Sequence, residues 1–187
     1  MSFLLVSSLA LASQFVLVGE EHGVVVFRNA DVPYVDLVAE GDFDAAPQAV
    51  RAMLLDYEGH PNLAGAVKVT RVLERTDNTL LVYQRLDLPV LDDRDYTMAV
   101  AWGADPDALW ARYRTANDRG PPPIDGVVRM SLHEAEWRFL PLDGGRRTHA
   151  VYMVRMDLGG SLPLWICRSQ MVSQVPGLFE AIRHELR

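Results

Sequence analysis

The stretch "GGSLPLWICRSQMVSQVPGLFEAIRHEL", residues 159–186, decides how this chain is read. Gly159 and Gly160 close the segment before it, Ser161 offers a hydroxyl to cap exposed amides, and Pro163 suits a first turn that has no hydrogen bond to lose. The spacing predicts a helix from near Leu162 to the end, on the order of 36 Å long. Trp165, Val172, Val175, Phe179, Ile182 and Leu186 recur at helical spacing and predict one buried face. Pro176 removes a ladder hydrogen bond, which predicts a bend just before it. Arg168, Ser169 and Gln170 interrupt the early turns, so the helix must pack on something that is not uniformly apolar.

Upstream of this helix the period is two. "FVLVGEEHGVVVFRN" reads as a hairpin turning at Glu21, His22 and Gly23, and "YVDLVAEGDF" as a third strand with Val35, Leu37 and Ala39 on one face. "APQAVRAMLLDYEGHPNLAGAV" then shows Val50, Met53, Leu54 and Tyr57 at helical spacing, with Pro47 at the start and breaks at Gly59 and Pro61. From there to residue 157 the chain alternates strand runs with turn-formers, among them "TLLVYQRLDL", "DYTMAVAW", "VVRMSLHEAEWRFLPL" and "THAVYMVRMDL". The inward sets are expected to be Leu80, Val82, Gln84 and Leu86, then Tyr96, Met98, Val100 and Trp102, then Ala150, Tyr152, Val154 and Met156. Strands, a helical pair, many consecutive strands and one long helix make an α+β class, an antiparallel sheet wrapped around the last helix.

Composition narrows the function. The chain has 187 residues and a formal net charge of −7, and Lys68 is its only lysine, which argues against a nucleic-acid partner and against docking on anionic membranes by charge alone. The single cysteine, Cys167, excludes an intramolecular disulfide and a cysteine-based zinc site. His22, His60, His133, His149 and His184 lack ligand spacing, so no metal and no cofactor is expected. The opening "MSFLLVSSLALASQFVLV" is apolar over residues 3–12 with small residues after it. It reads as an export signal within residues 1–14, giving a periplasmic or secreted protein, or as an N-terminal helix or strand lying on the domain of a cytoplasmic one. It is too short to span a membrane.

Five stretches in order carry a family resemblance: "FVLVGEEHGVVVFRN", "APQAVRAMLLDYEGHPNL", "RVLERTDNTLLVYQRLDLPVLDDRDYTMAV", "VRMSLHEAEWRFLPL" and "MDLGGSLPLWICRSQ". Over residues 15–187 the chain resembles the START domain, the StAR-related lipid-transfer module of the helix-grip, Bet v 1-like superfamily. The resemblance implies a curved antiparallel sheet gripping the C-terminal helix, with a tunnel for a lipid, a sterol-like molecule or an isoprenoid, transient membrane contact and a monomeric carrier. Mapped onto this sequence, the tunnel walls are Val82 and Gln84, Met98 and Val100, Met130, Tyr152 and Val154, with Arg168, Met171, Val172 and Val175 from the helix. Leu88, Pro89, Val90 and Leu91 form an apolar loop that would gate it.

Candidate chemistry elsewhere is weak. Asp92, Asp93 and Asp95 surround Arg94, which the resemblance makes a charge-paired turn into a strand rather than an acid/base site. Glu134 and Glu136 share one strand face, expected to be exposed. Arg168 points either into the tunnel, where it needs an anionic partner, or along the helix edge to solvent. The resemblance therefore implies a non-enzymatic binding and transfer protein. The alternative within the same superfamily is a polyketide cyclase or aromatase, with Tyr152, Gln84 and Arg168 as the inward polar groups. A third reading is a filled core that serves only to dock a partner.

Overall fold

Two positive-φ residues, His22 at 51° and Gly23 at 67°, make the tight turn that joins β1 (Phe15–Glu21) to β2 (Val24–Asn29). In the computed structural model, which describes residues 14–59, 63, 66–88, 92–160 and 162–187, the chain continues through β3 (Val35–Phe43), α1 (Pro47–Leu55), β4 (Val67–Arg75) and β5 (Thr79–Leu86). It then forms β6 (Asp93–Ala104), β7 (Leu109–Thr115), β8 (Val127–Arg129), β9 (Leu132–Leu142), β10 (Arg147–Asp157) and α2 (Leu164–Glu185). The expected export signal, the break at Pro61, the Ser161 cap and the gate residues Pro89, Val90 and Leu91 lie outside the described residues.

Among the described residues, nine strands pair antiparallel in the order β1-β2-β3-β10-β9-β7-β6-β5-β4, and β8 adds to β6 in parallel. On β10 burial alternates, with Thr148, Ala150, Tyr152, Val154 and Met156 inward, as a sheet with one covered face requires. β5 departs from that rule: Leu81 and Tyr83 are buried as fully as Leu80 and Val82. The segment 116–131 lies over the convex face there. Asn117 fastens it, accepting from the Thr97 amide at 2.8 Å and donating to the Met130 carbonyl at 2.8 Å. The run "VVRMSLHEAEWRFLPL", expected as one strand, is thereby split. The Met130 amide bonds the Asp95 carbonyl at 2.9 Å, holding β8 on the end of β6 while β9 crosses to β7.

The acidic turn is wired differently from expectation. Arg94 is 3% exposed and donates to the backbone carbonyl of Asp92, not to a carboxylate. Asp95 is instead gripped by Arg129 through two 2.8 Å bonds, and Asp93 by Arg85 at 2.6 Å with Lys68 nearby. The alternation of β6 explains this: Arg94 shares the concave face with Tyr96 and Met98, while Asp93 and Asp95 share the other.

Helix α2 runs unbroken through Pro176, starting two residues later than the sequence suggests because Pro163 is its N-cap. Val175, Phe179 and Ile182 are buried as expected, whereas Trp165 is 70% exposed. Phe179 stacks on Phe43 at 5.4 Å and meets Trp137 at 5.2 Å, and Trp137 in turn stacks on Tyr152 at 4.4 Å. This aromatic cluster fixes the C-terminal half of the helix over β3, β9 and β10.

A candidate ligand cavity

The packing of α2 is lopsided. It leans on β1, β2, β3 and α1, while the sheet curls back toward it through β6, β5 and β4. The space left between is a cavity of about 450 Å³, which adjoins a smaller chamber of about 130 Å³. That size suits a single enclosed organic molecule.

Each wall comes from a different element. Val67, Leu86, Leu88 and Tyr96 form the curled side, and His133, Tyr152 and Met156 the floor. Leu162, Ile166, Cys167, Gln170, Met171, Gln174, Val175 and Leu178 form the roof. Cys167, Gln170, Met171, Gln174 and Leu178 follow helical spacing one stripe away from the packed Val175, Phe179 and Ile182. The helix thus has one face packed on protein and a second that borders the cavity, with Gln170 and Gln174 at its exposed edge. The smaller chamber is lined by Tyr57, Met98, Tyr113, Trp137 and Leu178, with Gln84 in its wall. A separate groove of about 340 Å³ on the convex face is charged, with Arg112, Arg114, Glu134, Glu136 and Arg155 among its walls. Arg112 and Glu136 pair across it at 2.9 Å.

Among the described residues, the polar groups that line the cavity are uncharged. Tyr96 donates from its hydroxyl to Gln84 Oε1 at 2.6 Å, and Gln84 Nε2 donates to Thr70 Oγ1 at 3.1 Å, so this chain of bonds is internally satisfied. Burial pushes the phenols of Tyr96, Tyr113 and Tyr152 well up from their usual range. His133 stacks on Tyr96 with ring centroids 4.7 Å apart. Burial depresses its imidazole to about 4, and its buried Nδ1 has no hydrogen-bond partner.

Of the expected wall residues, the structure brings Gln84, Met98, Tyr152, Met171 and Val175 to the two chambers, and Leu88 of the expected gate joins them. Val82, Val100 and Met130 are instead sealed in packed protein, each at most 1% exposed, and Val154, equally buried, borders the convex groove and not the cavity. Val172 turns toward β1 and packs near Gly19. Arg168 is half-buried at the helix edge and does not line the cavity. Its guanidinium donates to the carbonyls of Ala30 and, more closely, Val32, fastening the start of α2 to the loop before β3. Sequence reasoning missed His133, Gln174 and Leu178. The alternation of β9, with His133, Ala135, Trp137 and Phe139 on one face, was the signal that places the histidine inside.

Three solved structures share this architecture. A STAR-related lipid transfer protein from Xanthomonas axonopodis superposes with a TM-score of 0.83 at 23% identity, over 93% of this chain and 99% of that one. Human StAR-related lipid transfer protein 5 gives 0.84 at 16% identity, over 97% and 90%. The Zhui aromatase/cyclase from Streptomyces sp. R1128 gives 0.55 at 18% identity, over 81% and 90%. These likenesses speak for the helix-grip fold. The model of the START domain matches residues 58–185, from just after α1 through β4–β10 to the end of α2, and so takes in both sides of the cavity. By that match, this chain belongs to the START domain family.

Proposed function

We propose that the protein binds one hydrophobic small molecule between α2 and the sheet and carries it, without chemical change, from one site to another. The observation that supports this most directly is the 450 Å³ cavity with its largely apolar roof and curled wall, in a fold whose family binds hydrophobic ligands. Apolar contact supplies affinity at roughly 25 cal/mol per Å² of buried surface, reduced by the cost of ordering the ligand. Leu88, the one described residue of the expected gate, sits in the cavity wall.

The cyclase alternative has less support. With the phenols raised and His133 lowered by burial, neither group is poised to exchange protons near neutral pH, and no charged side chain stands among the described walls of either chamber.

Native mass spectrometry of the purified protein, with organic extraction of whatever it releases, tests the carrier reading. A stoichiometric hydrophobic adduct is expected, and Met171→Trp, which fills the roof, should lose it while remaining folded at a cost of about 1–3 kcal/mol. Undiminished ligand capture by that variant would sink this placement of the site.

A further inference from the structure

We propose that the cavity takes a single-chain amphiphile, one acyl or isoprenoid chain of on the order of twenty carbons, with its polar head left in water beside Gln170 and Gln174, and that two-chain lipids do not fit. The inference rests on the carrier reading above and names the class of its ligand.

Volume sets the class. A methylene fills nearly the space of one water in the liquid, about 30 Å³, so the 450 Å³ chamber holds about fifteen and the 130 Å³ chamber about four more. A two-chain lipid with about sixteen carbons in each chain needs on the order of 900 Å³ for its chains alone, well beyond both chambers together. Shape then separates flexible chains from rigid rings. The chambers adjoin at Tyr96, Tyr152 and Leu178, which line both. A chain that turns about its single bonds can occupy the two; a fused-ring skeleton can occupy one.

The edge of the larger chamber places the head. Gln170 and Gln174 line that chamber and are exposed, so this side of the roof is where the cavity meets solvent. A head that stays there keeps its water, whereas a head drawn inside must find new partners for its polar atoms. Two polar groups of the interior are already engaged with protein: the Tyr96 hydroxyl donates to Gln84, and the Gln84 amide donates to Thr70. The concave face does hold a buried cation, Arg94 at 3% exposure, but it lines neither chamber and donates to the Asp92 carbonyl. At Cys167, a lining residue that its charge reaches, Asp157 acts in the opposite sense.

Straight-chain alcohols of about ten to about twenty-six carbons test this, read by displacement of a fluorescent fatty alcohol, with melting curves for every variant. Affinity is expected to rise about fourfold per methylene and to level off near twenty carbons. Leu178→Phe, which narrows the junction of the chambers, should move the plateau to chains shorter by about four carbons, and Leu178→Ala should move it to longer ones. A linear isoprenoid alcohol of matching carbon number should bind as well, and the tighter of the two names the chain. Exchanging the hydroxyl of the best chain for a sulfate or a phosphocholine should change affinity less than about fivefold. A fluorescent head on that chain should stay open to iodide quenching in the complex, and vesicles of diacyl phosphatidylcholine should give up no stoichiometric lipid. Extraction of that two-chain lipid, a sterol that binds more tightly than every chain, or affinity that climbs through the whole series overturns the proposal while the carrier reading stands. A plateau unmoved by both Leu178 variants, folded by their melting curves, also overturns it. So does a head shielded from iodide, or an about tenfold gain from the sulfate that Arg94→Met abolishes, which would place the head at that cation. Failure of every probe and of the fluorescent alcohol to bind would take down both.

Discussion

Asp95 illustrates how one buried charge organises its surroundings. It is 1% exposed and receives two bonds from Arg129 at 2.8 Å and one from the Tyr83 hydroxyl at 3.1 Å. Burial, and then the adjacent carboxylate, push the Tyr83 phenol up. Asp95→Ala leaves a half-buried guanidinium and a phenol without their acceptor, and should lower unfolding free energy by about 3 kcal/mol. A urea midpoint within error of the wild type would show that Arg129 finds equivalent partners in the Pro121 and Pro122 carbonyls it already approaches. His133 makes the opposite case, a titratable group kept neutral. Its folded value of about 4 lies below the unfolded value of roughly 6.5, so between these limits the unfolded chain holds the extra proton. Stability from this group is therefore full above about pH 6.5 and falls as the pH drops, by up to about 3 kcal/mol near pH 4. His133→Phe should flatten this part of the stability profile; parallel profiles for the two proteins from pH 7 to 4 would show that the ring takes up protons without unfolding. Neither residue's role was visible in the sequence. Asp95 could be placed in a charged turn, but its true partner, Arg129, lies 34 positions away and reaches it only because segment 116–131 folds across the convex face. Arg168 was placed among the tunnel walls because its helix was, and helical spacing does not reveal which of two inner stripes a residue joins.

At the scale of elements, the close approach of α2 to β3 depends on Gly41. A Cβ there would lie 3.1 Å from the Phe179 ring and 3.2 Å from Val24, tighter than ordinary packing. Gly41→Val should wedge the helix away from β3, cost about 1–3 kcal/mol and loosen the aromatic cluster, read as a lower melting temperature with altered near-ultraviolet circular dichroism. Unchanged values for both would mean that Phe179 swings aside freely. The helix itself was legible from its spacing, as was the buried set Val175, Phe179 and Ile182, because one face packs on protein. Its second stripe is mixed: Gln170 and Gln174 are exposed, as their polarity suggests, and only the structure shows that Cys167, Met171 and Leu178 beside them border a hollow. For the same reason Trp165 was expected inside: periodicity counts apolar residues and carries no information on where the supporting sheet ends.

For the whole molecule, the class, the order of elements and the helix-grip architecture followed from a change in period, two through the strands and three to four in the helices, together with five stretches that resemble one family. The cavity did not follow, because solid core and hollow core call for the same residue types; the difference comes from the lean of α2 toward β1–β3, a tertiary fact. That lean depends in turn on the pairing of β3 with β10, where the Thr148 hydroxyl bonds the Ala45 carbonyl 103 positions away. During synthesis the first three strands leave the ribosome long before their partner exists. At about 5–20 residues per second, β3 waits roughly 5 to 20 seconds with one edge unpaired. An open strand edge is a template for any passing chain. The hazard of mispairing is therefore greatest on the growing chain and ends when β10 emerges and docks.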